Sequence, residues 1–408
     1  MTGSDRASGF VPPPYPYDRL EGLRADAAER FGETGRDRGD ESRGGIVDCS
    51  IGTPCDPPPE AVVAAMANSG AERGYPYSIG SPAYRRAAAQ YLSRRFDVAV
   101  DAEREIAACV GTKEFVASVA HYLHLRDPEH DTVLYPATSY PTYAMGALLA
   151  GCRAVAVPEL AGGGLDLASV REEDAARALL LWANSPSNPT GGLTDLAEVA
   201  AWGRARAVPV FSDECYAEFT WAGPPRSILS TGRSGVVAVH SLSKRSNLAG
   251  VRAGFFAGDP DLVGYLLDVR RHAGLMVPGP VQAGAVVALG DDVHVDAQRA
   301  RYFERLEFLS EVLRRCGVDT SLPDGGFYLW VPVPPAMGDD GWVLAAALAL
   351  EAGLLVSPGS LYGPGGDSFV RIAVVQPMER LRLVEERLAS SGSRLDAPTE
   401  AARTAGSA

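Results

Sequence analysis

Hydrophobic positions fall along this chain in two rhythms, and the change between them comes near residue 280. From Ile106 onward, short runs rich in Val, Ile, Leu and Ala alternate with longer stretches whose apolar residues recur at helical spacing. The runs predict strands over 106–110, 132–135, 154–157, 178–182, 209–212, 236–240 and 253–257. Helices are predicted from Gly111-Thr112 to about Leu125, over 140–150 and over 193–206. Alternation of this kind builds a largely parallel sheet between helical layers, a three-layer αβα arrangement.

Ahead of this block lie a helix over 17–31 closed by Gly32, a short strand over 46–51, and helices over 59–66 and 84–96. After Pro280 come helices over 281–289 and 295–316, strands over 327–331, 354–356 and 369–374, and a helix over 342–351. The expected organisation is an N-terminal arm, helix and linker (1–45), a large α/β domain (46–280), a small α+β domain (281–388) joined by the N-terminal segment, and a disordered tail (389–408). Residues 1–14 are polar and proline-rich, and 33–45 are charged and glycine-containing, as an arm and a linker would be.

Composition narrows the class. With 408 residues, 46% hydrophobic and 22% charged, the chain can bury a large core. A net charge of −13 argues against nucleic acid or an acidic membrane as partner. The six cysteines form no C-x-x-C pair and no secretory apolar segment opens the chain, which points to a reducing, cytoplasmic setting. The longest apolar run, 342–356, is too short to span a bilayer. His121 and His124 share a helix face, but that spacing alone carries no metal site, and none is expected.

Candidate chemistry sits at the carboxyl ends of the predicted strands, where open α/β sheets bind ligands. Gly111-Thr112 opens a helix, and the free N–H groups there favour an anion. Asn184-Ser185-Pro186-Ser187-Asn188-Pro189-Thr190-Gly191 restricts its backbone on both sides of Asn188 and aims one amide from a rigid loop. Asp213 ends a buried strand and needs a cationic or N–H partner there. Ser241, Ser243, Lys244 and Arg252 follow the strand 236–240 and put an amine nucleophile beside an anion site.

Taken together and in this order, these motifs resemble the fold-type-I pyridoxal-phosphate aminotransferases of class I/II, over roughly 46–385. Gly326-Phe327-Tyr328, Pro358-Gly359, Tyr362-Gly363 and Val370-Arg371-Ile372 match as well. The resemblance implies that Lys244 anchors the cofactor aldehyde and moves a proton, and that Asp213 keeps the pyridine nitrogen protonated. It implies that Asn188 and Tyr216 bond the ring oxygen and that Tyr140 stacks on the ring. Gly111, Thr112, Lys113, Ser241, Ser243 and Arg252 would surround the phosphate. Tyr75 would reach the phosphate of a neighbouring subunit, which implies a homodimer with shared sites. Arg371, with Gly52 and Asn188, would hold the substrate carboxylate. Finer details, such as Gly111-Thr112-Lys113-Glu114-Phe115 and Ser243-Lys244-Arg245-Ser246-Asn247, are most similar to succinyldiaminopimelate aminotransferases. Such a polyanionic substrate needs a second cation, for which Lys113 is the candidate and Arg245 the next. An aminotransferase for another amino acid, a lyase, cyclase or decarboxylase of the same fold, or a cofactor-binding sensor would use the same cofactor residues.

Overall fold

The computed structural model describes residues 10–32, 44–160, 163–391 and 395. The expectations for the first nine residues, for linker residues 33–43, for 161–162 and for most of the tail lie outside them. Twelve strands are described. β1 (Val47–Asp48) opens the chain's first sheet contact, and seven strands then form one sheet. These are β2 (Ile106–Cys109), β3 (Thr132–Pro136), β4 (Arg153–Val157), β5 (Ala178–Asn184), β6 (Val210–Asp213), β7 (Val236–Ser241) and β8 (Gly254–Gly258). Their spatial order is β2-β8-β7-β6-β5-β3-β4. Only β8 runs against its neighbours, antiparallel to β2 and β7. The fold is therefore the α/β type with a mainly parallel seven-stranded sheet.

The sequence makes these strands for a plain reason. β5, β6, β7 and β8 are buried at every position, so each reads as a continuous apolar run rather than an alternating one. The strand limits differ from the expected ones by one or two residues, because ladder hydrogen bonds continue into polar ends such as Asn184, Asp213 and Ser241. Those polar ends are the residues of interest below. Helix Pro82–Phe96 starts earlier than its apolar pattern, since Ser81 caps it by accepting from Tyr84 N at 3.2 Å with Pro82 in the first turn.

Besides the four-residue helices Glu172–Ala175 and Leu242–Arg245, two longer helices escape the pattern reading. Pro260–His272 is capped by Asp259, which accepts from the backbone of Asp261 and Leu262. Met378–Ser391 follows the last strand. The remaining strands are β9 (Tyr328–Pro332), β10 (Leu354–Leu355), β11 (Ser357–Pro358) and β12 (Phe369–Ala373). β11, β12 and β9 form a three-stranded antiparallel sheet with β12 in the middle, and β1 pairs with β10 in parallel. One buried cluster joins this sheet to Leu23 and Ala27 of helix Glu21–Phe31 and to Leu306, Leu309 and Leu313 of helix Val293–Arg315. Helix Gly279–Gly290 packs instead with the seven-stranded sheet, through Val281, Ala285, Ala288 and Leu289. No disulfide joins cysteines among the described residues, and no described helix is long and apolar enough to cross a membrane.

Candidate active site

A cavity of ≈ 420 Å³ lies where the carboxyl ends of β5, β6 and β7 meet the start of helix Thr112–Arg126 and the central strand of the small sheet. Asp213 ends β6 and pairs in register with Asn184 of β5 and Val239 of β7. Its carboxylate accepts from the Tyr143 hydroxyl at 2.9 Å and from Cys215 N at 3.1 Å. Burial pushes its pKa above the ordinary carboxylate value, while the Cys215 and Tyr143 bonds pull the other way. A buried carboxyl in that condition calls for a cationic partner, and a protonated ring nitrogen is such a partner.

Lys244 sits one short turn past β7, in the helix Leu242–Arg245 that Ser241 caps through its hydroxyl. Its amine donates to the carbonyl of Gly52. Burial pushes the Lys244 pKa down to about 8; Cys215 opposes this, and the guanidiniums of Arg371 and Arg252 add to it. Gly52 has no room for a side chain, because a Cβ there would lie 2.3 Å from the Tyr328 hydroxyl. That hydroxyl is 2.6 Å from the hydroxyl of Tyr216.

Gly111, Thr112 and Arg252 meet at one end of the cavity. Gly111 takes φ +74°, which places the helix start directly under Arg252, and a Cβ on it would meet Arg252 Nη2 at 2.2 Å. Arg252 itself has φ +61° and is anchored by Nη1 to the Ala249 carbonyl at 2.9 Å. Thr112 Oγ1 accepts from the Cys215 thiol at 3.2 Å. A glycine cradle, a helix N-terminus, a guanidinium and the hydroxyls of Ser241 and Ser243 make a donor set that fits a phosphate. With Lys244 and Asp213 in the same cavity, the residues fit pyridoxal phosphate.

Arg371 comes from the other side, on β12, and is 2% exposed. Its Nη1 donates to Asn188 Oδ1 at 2.8 Å and its Nη2 to the Ser50 carbonyl at 2.5 Å, while Nε has no partner among the described residues. The rings of Tyr328 and Tyr362 lie 4.4 and 4.7 Å from its Cζ. Asn184 holds the Asn188 loop in place, accepting from Asn188 N at 2.8 Å and donating to Asp213 O at 2.9 Å.

Of the residues singled out in the sequence, Gly52, Thr112, Lys113, Tyr140, Asn188, Asp213, Tyr216, Ser241, Ser243, Lys244, Arg252 and Arg371 line this one cavity, and Gly111 lies against Arg252 at its edge. Tyr75 does not line it; its side chain is outside, 96% exposed. Arg245 is a correction. The sequence puts it behind Lys113 as a reader of substrate charge, but it is 3% exposed and bonded to Glu218, the Ala288 carbonyl and Asp292, away from the cavity. Four lining tyrosines have no role assigned from the sequence. Tyr15 and Tyr17 arrive on the N-terminal arm, with the Tyr15 hydroxyl 3.3 Å from Lys113 Nζ and the Tyr17 hydroxyl 3.0 Å from that of Tyr362. Tyr143 and Tyr328 are the others. Helical i,i+3 spacing from Tyr140 could have found Tyr143; nothing local could have found Tyr15.

A deep lysine and a buried aspartate on one cavity, beside a donor set that fits a phosphate on an α/β sheet, are what a pyridoxal-phosphate enzyme of this fold requires. Residues 45–387 match the family model for aminotransferases of class I and II, and the chain belongs to that family of pyridoxal-phosphate-dependent enzymes. It is 41% identical over 352 residues to the 4-dedimethylamino-4-oxo-anhydrotetracycline transaminase OxyQ of Streptomyces rimosus, covering 84% of this chain and 93% of the relative. It is 34% identical over 388 residues to an LL-diaminopimelate aminotransferase of Desulforudis audaxviator, covering 92% and 95%. Among solved structures it is similar to a probable N-succinyldiaminopimelate aminotransferase of Thermus thermophilus, with 30% identity, a TM-score of 0.80, and coverage of 92% of this chain and all of that one.

Proposed function

We propose that this aminotransferase works by ping-pong exchange on substrates that carry an anion at each end, with N-succinyl-LL-2,6-diaminopimelate and 2-oxoglutarate/glutamate as the leading pair. The observation that carries this reading is the pair of cations on one cavity: Arg371 deep in it and Lys113 at the arm. Lys113 Nζ lies 5.0 Å from the Tyr15 ring and 5.9 Å from the Tyr140 ring, and it donates to the Tyr15 phenol. An ammonium between two aromatic faces keeps donors free for a ligand carboxylate.

In this reading Arg371 grips the α-carboxylate as a fork, and Asn188 orients that fork. Bound pyridoxal phosphate supplies a carbonyl that takes up the amino group and a ring that withdraws electrons from the substrate Cα. Lys244 would hold it covalently until the substrate amine displaces Nζ, and the freed amine would then move the proton at Cα. Asp213 keeps the ring nitrogen protonated, while Asn188 and Tyr216 bond the ring oxygen and Tyr140 covers the ring. Gly111, Thr112, Ser241, Ser243 and Arg252 hold the phosphate. Tyr75, standing outside its own cavity, serves the site of a second copy in a homodimer.

The similarity to OxyQ favours a second reading, amination of a ring ketone in a specialised pathway, and Tyr15, Tyr17 and Tyr140 offer aromatic walls for one. A panel of acceptors with glutamate consumption as readout separates the two. Turnover of the succinylated oxo acid supports the first; turnover of aromatic ketones alone, with none of the dianionic acids, overturns it.

Two substitutions probe the ends of the cavity. Lys113→Ala removes one charge-assisted bond worth about 2 kcal/mol, so kcat/KM for a substrate with a distal anion falls about 30-fold. A donor without that anion, such as alanine, is unaffected; equal losses for both would put Lys113 on the phosphate instead. Gly111→Ala drives Arg252 off the helix start, and half-saturation by pyridoxal phosphate, followed by its absorbance, rises about 10-fold or more.

A further inference from the structure

Arg245 follows Lys244 in a four-residue helix, and Glu218 follows Tyr216 by two residues at the 3-10 turn Ala217–Phe219. These two side chains are each 3% exposed and meet at 3.4 Å, Arg245 Nε to Glu218 Oε1. The other Glu218 oxygen accepts from Arg95 Nε at 3.0 Å and Nη2 at 2.9 Å. Arg245 continues away from the cavity: Nη1 donates to the Ala288 carbonyl at 2.6 Å, and Nη2 lies 3.4 Å from Asp292 Oδ1. Its Cζ sits 4.6 Å over the Tyr91 ring.

One planar fork thus joins four segments that are far apart in sequence: helix Pro82–Phe96, the Tyr216 turn, the Lys244 turn, and the junction of helices Gly279–Gly290 and Val293–Arg315. Arginine suits this because its donors are fixed relative to one another, so satisfying all of them leaves one geometry. A solvent-facing ion pair would impose no such constraint. This pair is closed off from water on the back of the turn whose front presents the reactive amine.

We propose that Arg245 and Glu218 are a positioning pair that sets Lys244 Nζ relative to Tyr216 and Asp213. The proposal rests on Lys244 being the residue that holds the cofactor. Neither Arg245 nor Glu218 lines the cavity, so they act through Lys244 and Tyr216 and do not touch substrate.

The test uses holoenzyme of Arg245→Gln, Arg245→Lys, Glu218→Gln and the double variant Arg245→Gln/Glu218→Gln. Two readouts are taken per mole of bound cofactor: the pH midpoint of the lysine-bound cofactor's visible absorbance, and kcat and KM for glutamate. The midpoint is expected to move by about half a unit and kcat to fall about 10-fold in either Gln variant, with KM within about threefold, because small misplacement acts on the reacting atoms. Arg245→Lys, which keeps the charge, is expected to recover part of both. The double variant should be no worse than the poorer single one, as for two halves of one device. Asp174→Asn, which weakens the ion pairs of a buried carboxylate with the part-exposed Arg153 and Arg171 at the sheet edge, outside the cavity lining, controls for plain loss of stability.

If the variants melt earlier, as Asp174→Asn does, yet keep the wild-type midpoint and kcat, the pair is structural and the proposal fails. If Arg245→Gln does not fold, Glu218→Gln and Arg245→Lys decide by the same readouts. Lys244→Ala separates this failure from failure of the underlying reading: if that variant keeps the absorbance, the reading of Lys244 falls and the proposal with it, whereas its loss leaves the Arg245 and Glu218 readouts to decide.

Discussion

Lys244→Ala abolishes the visible absorbance of the bound cofactor and lowers the half-reaction with glutamate by about 10³-fold or more, the range of a lost proton-transfer group. Far-UV circular dichroism stays native, since the amine's hydrogen bond goes to the Gly52 carbonyl and ties down no element of the sheet. Survival of both the absorbance and the half-reaction would put the chemistry on Lys113, the chain's one other lysine. A second measurement needs no cofactor. Burial disfavours the ammonium, so the Lys244 pKa lies near 8, below the ordinary lysine value of about 10.4. Competitive acylation of the apo protein, read by mass spectrometry, should label Lys244 with a midpoint near pH 8, where Lys113, whose pKa is raised against the pull of burial by Tyr140 and Tyr15, still reacts slowly. Between about pH 8 and 10.4 the unfolded chain holds a proton here that the folded chain has released, so folding gains from rising pH in that window. Lys244→Met therefore raises the apo melting temperature at neutral pH, and the advantage shrinks toward about pH 10. An advantage that does not change with pH would contradict the depressed value.

Asp213→Asn gives the second large effect. It keeps the shape and one acceptor oxygen but cannot balance a cationic ring nitrogen, so single-turnover rates with glutamate fall about 10²- to 10³-fold. Cofactor still binds, because the phosphate cradle is separate and Lys244 is intact. Asp213→Glu restores only part of the rate, since the longer side chain meets Tyr143 and Cys215 N, both within 3.1 Å of the native carboxylate. A single-turnover rate in Asp213→Asn within threefold of wild type would remove Asp213 from its proposed role.

Much of this is open to reading in the chain, and the rest is hidden for definable reasons. β5 to β8 are buried on both faces, so their apolar runs stand out and their polar last residues mark the cavity rim. The order of Asn188, Asp213, Lys244 and Arg252 then carries the resemblance. Arg245 misleads because proximity to Lys244 in sequence does not mean a shared direction. Consecutive residues on a helix point about 100° apart, and here one faces the cavity and the next the core. Tyr15 depends on the arm folding back across the whole chain to Lys113, 98 positions later, which no local pattern encodes. The helix Pro260–His272 is legible after all, in its Asp259-Pro260 start and its Leu262, Val263 and Leu266 face.

Arg371 stands on β12 of the small sheet, and Lys244 follows β7 of the large one. The two sheets belong to separate buried clusters. On the proposed roles, the gap that decides which substrates fit is a distance between two bodies, and no single lining residue sets it. Helix Val293–Arg315 starts beside Asp292 and its later turns pack under the small sheet, in the same buried cluster as Cys215 and Tyr216 of the cavity wall. On these roles, the spacing between Arg371 and Lys244 is therefore set by core packing as much as by the residues that line the cavity.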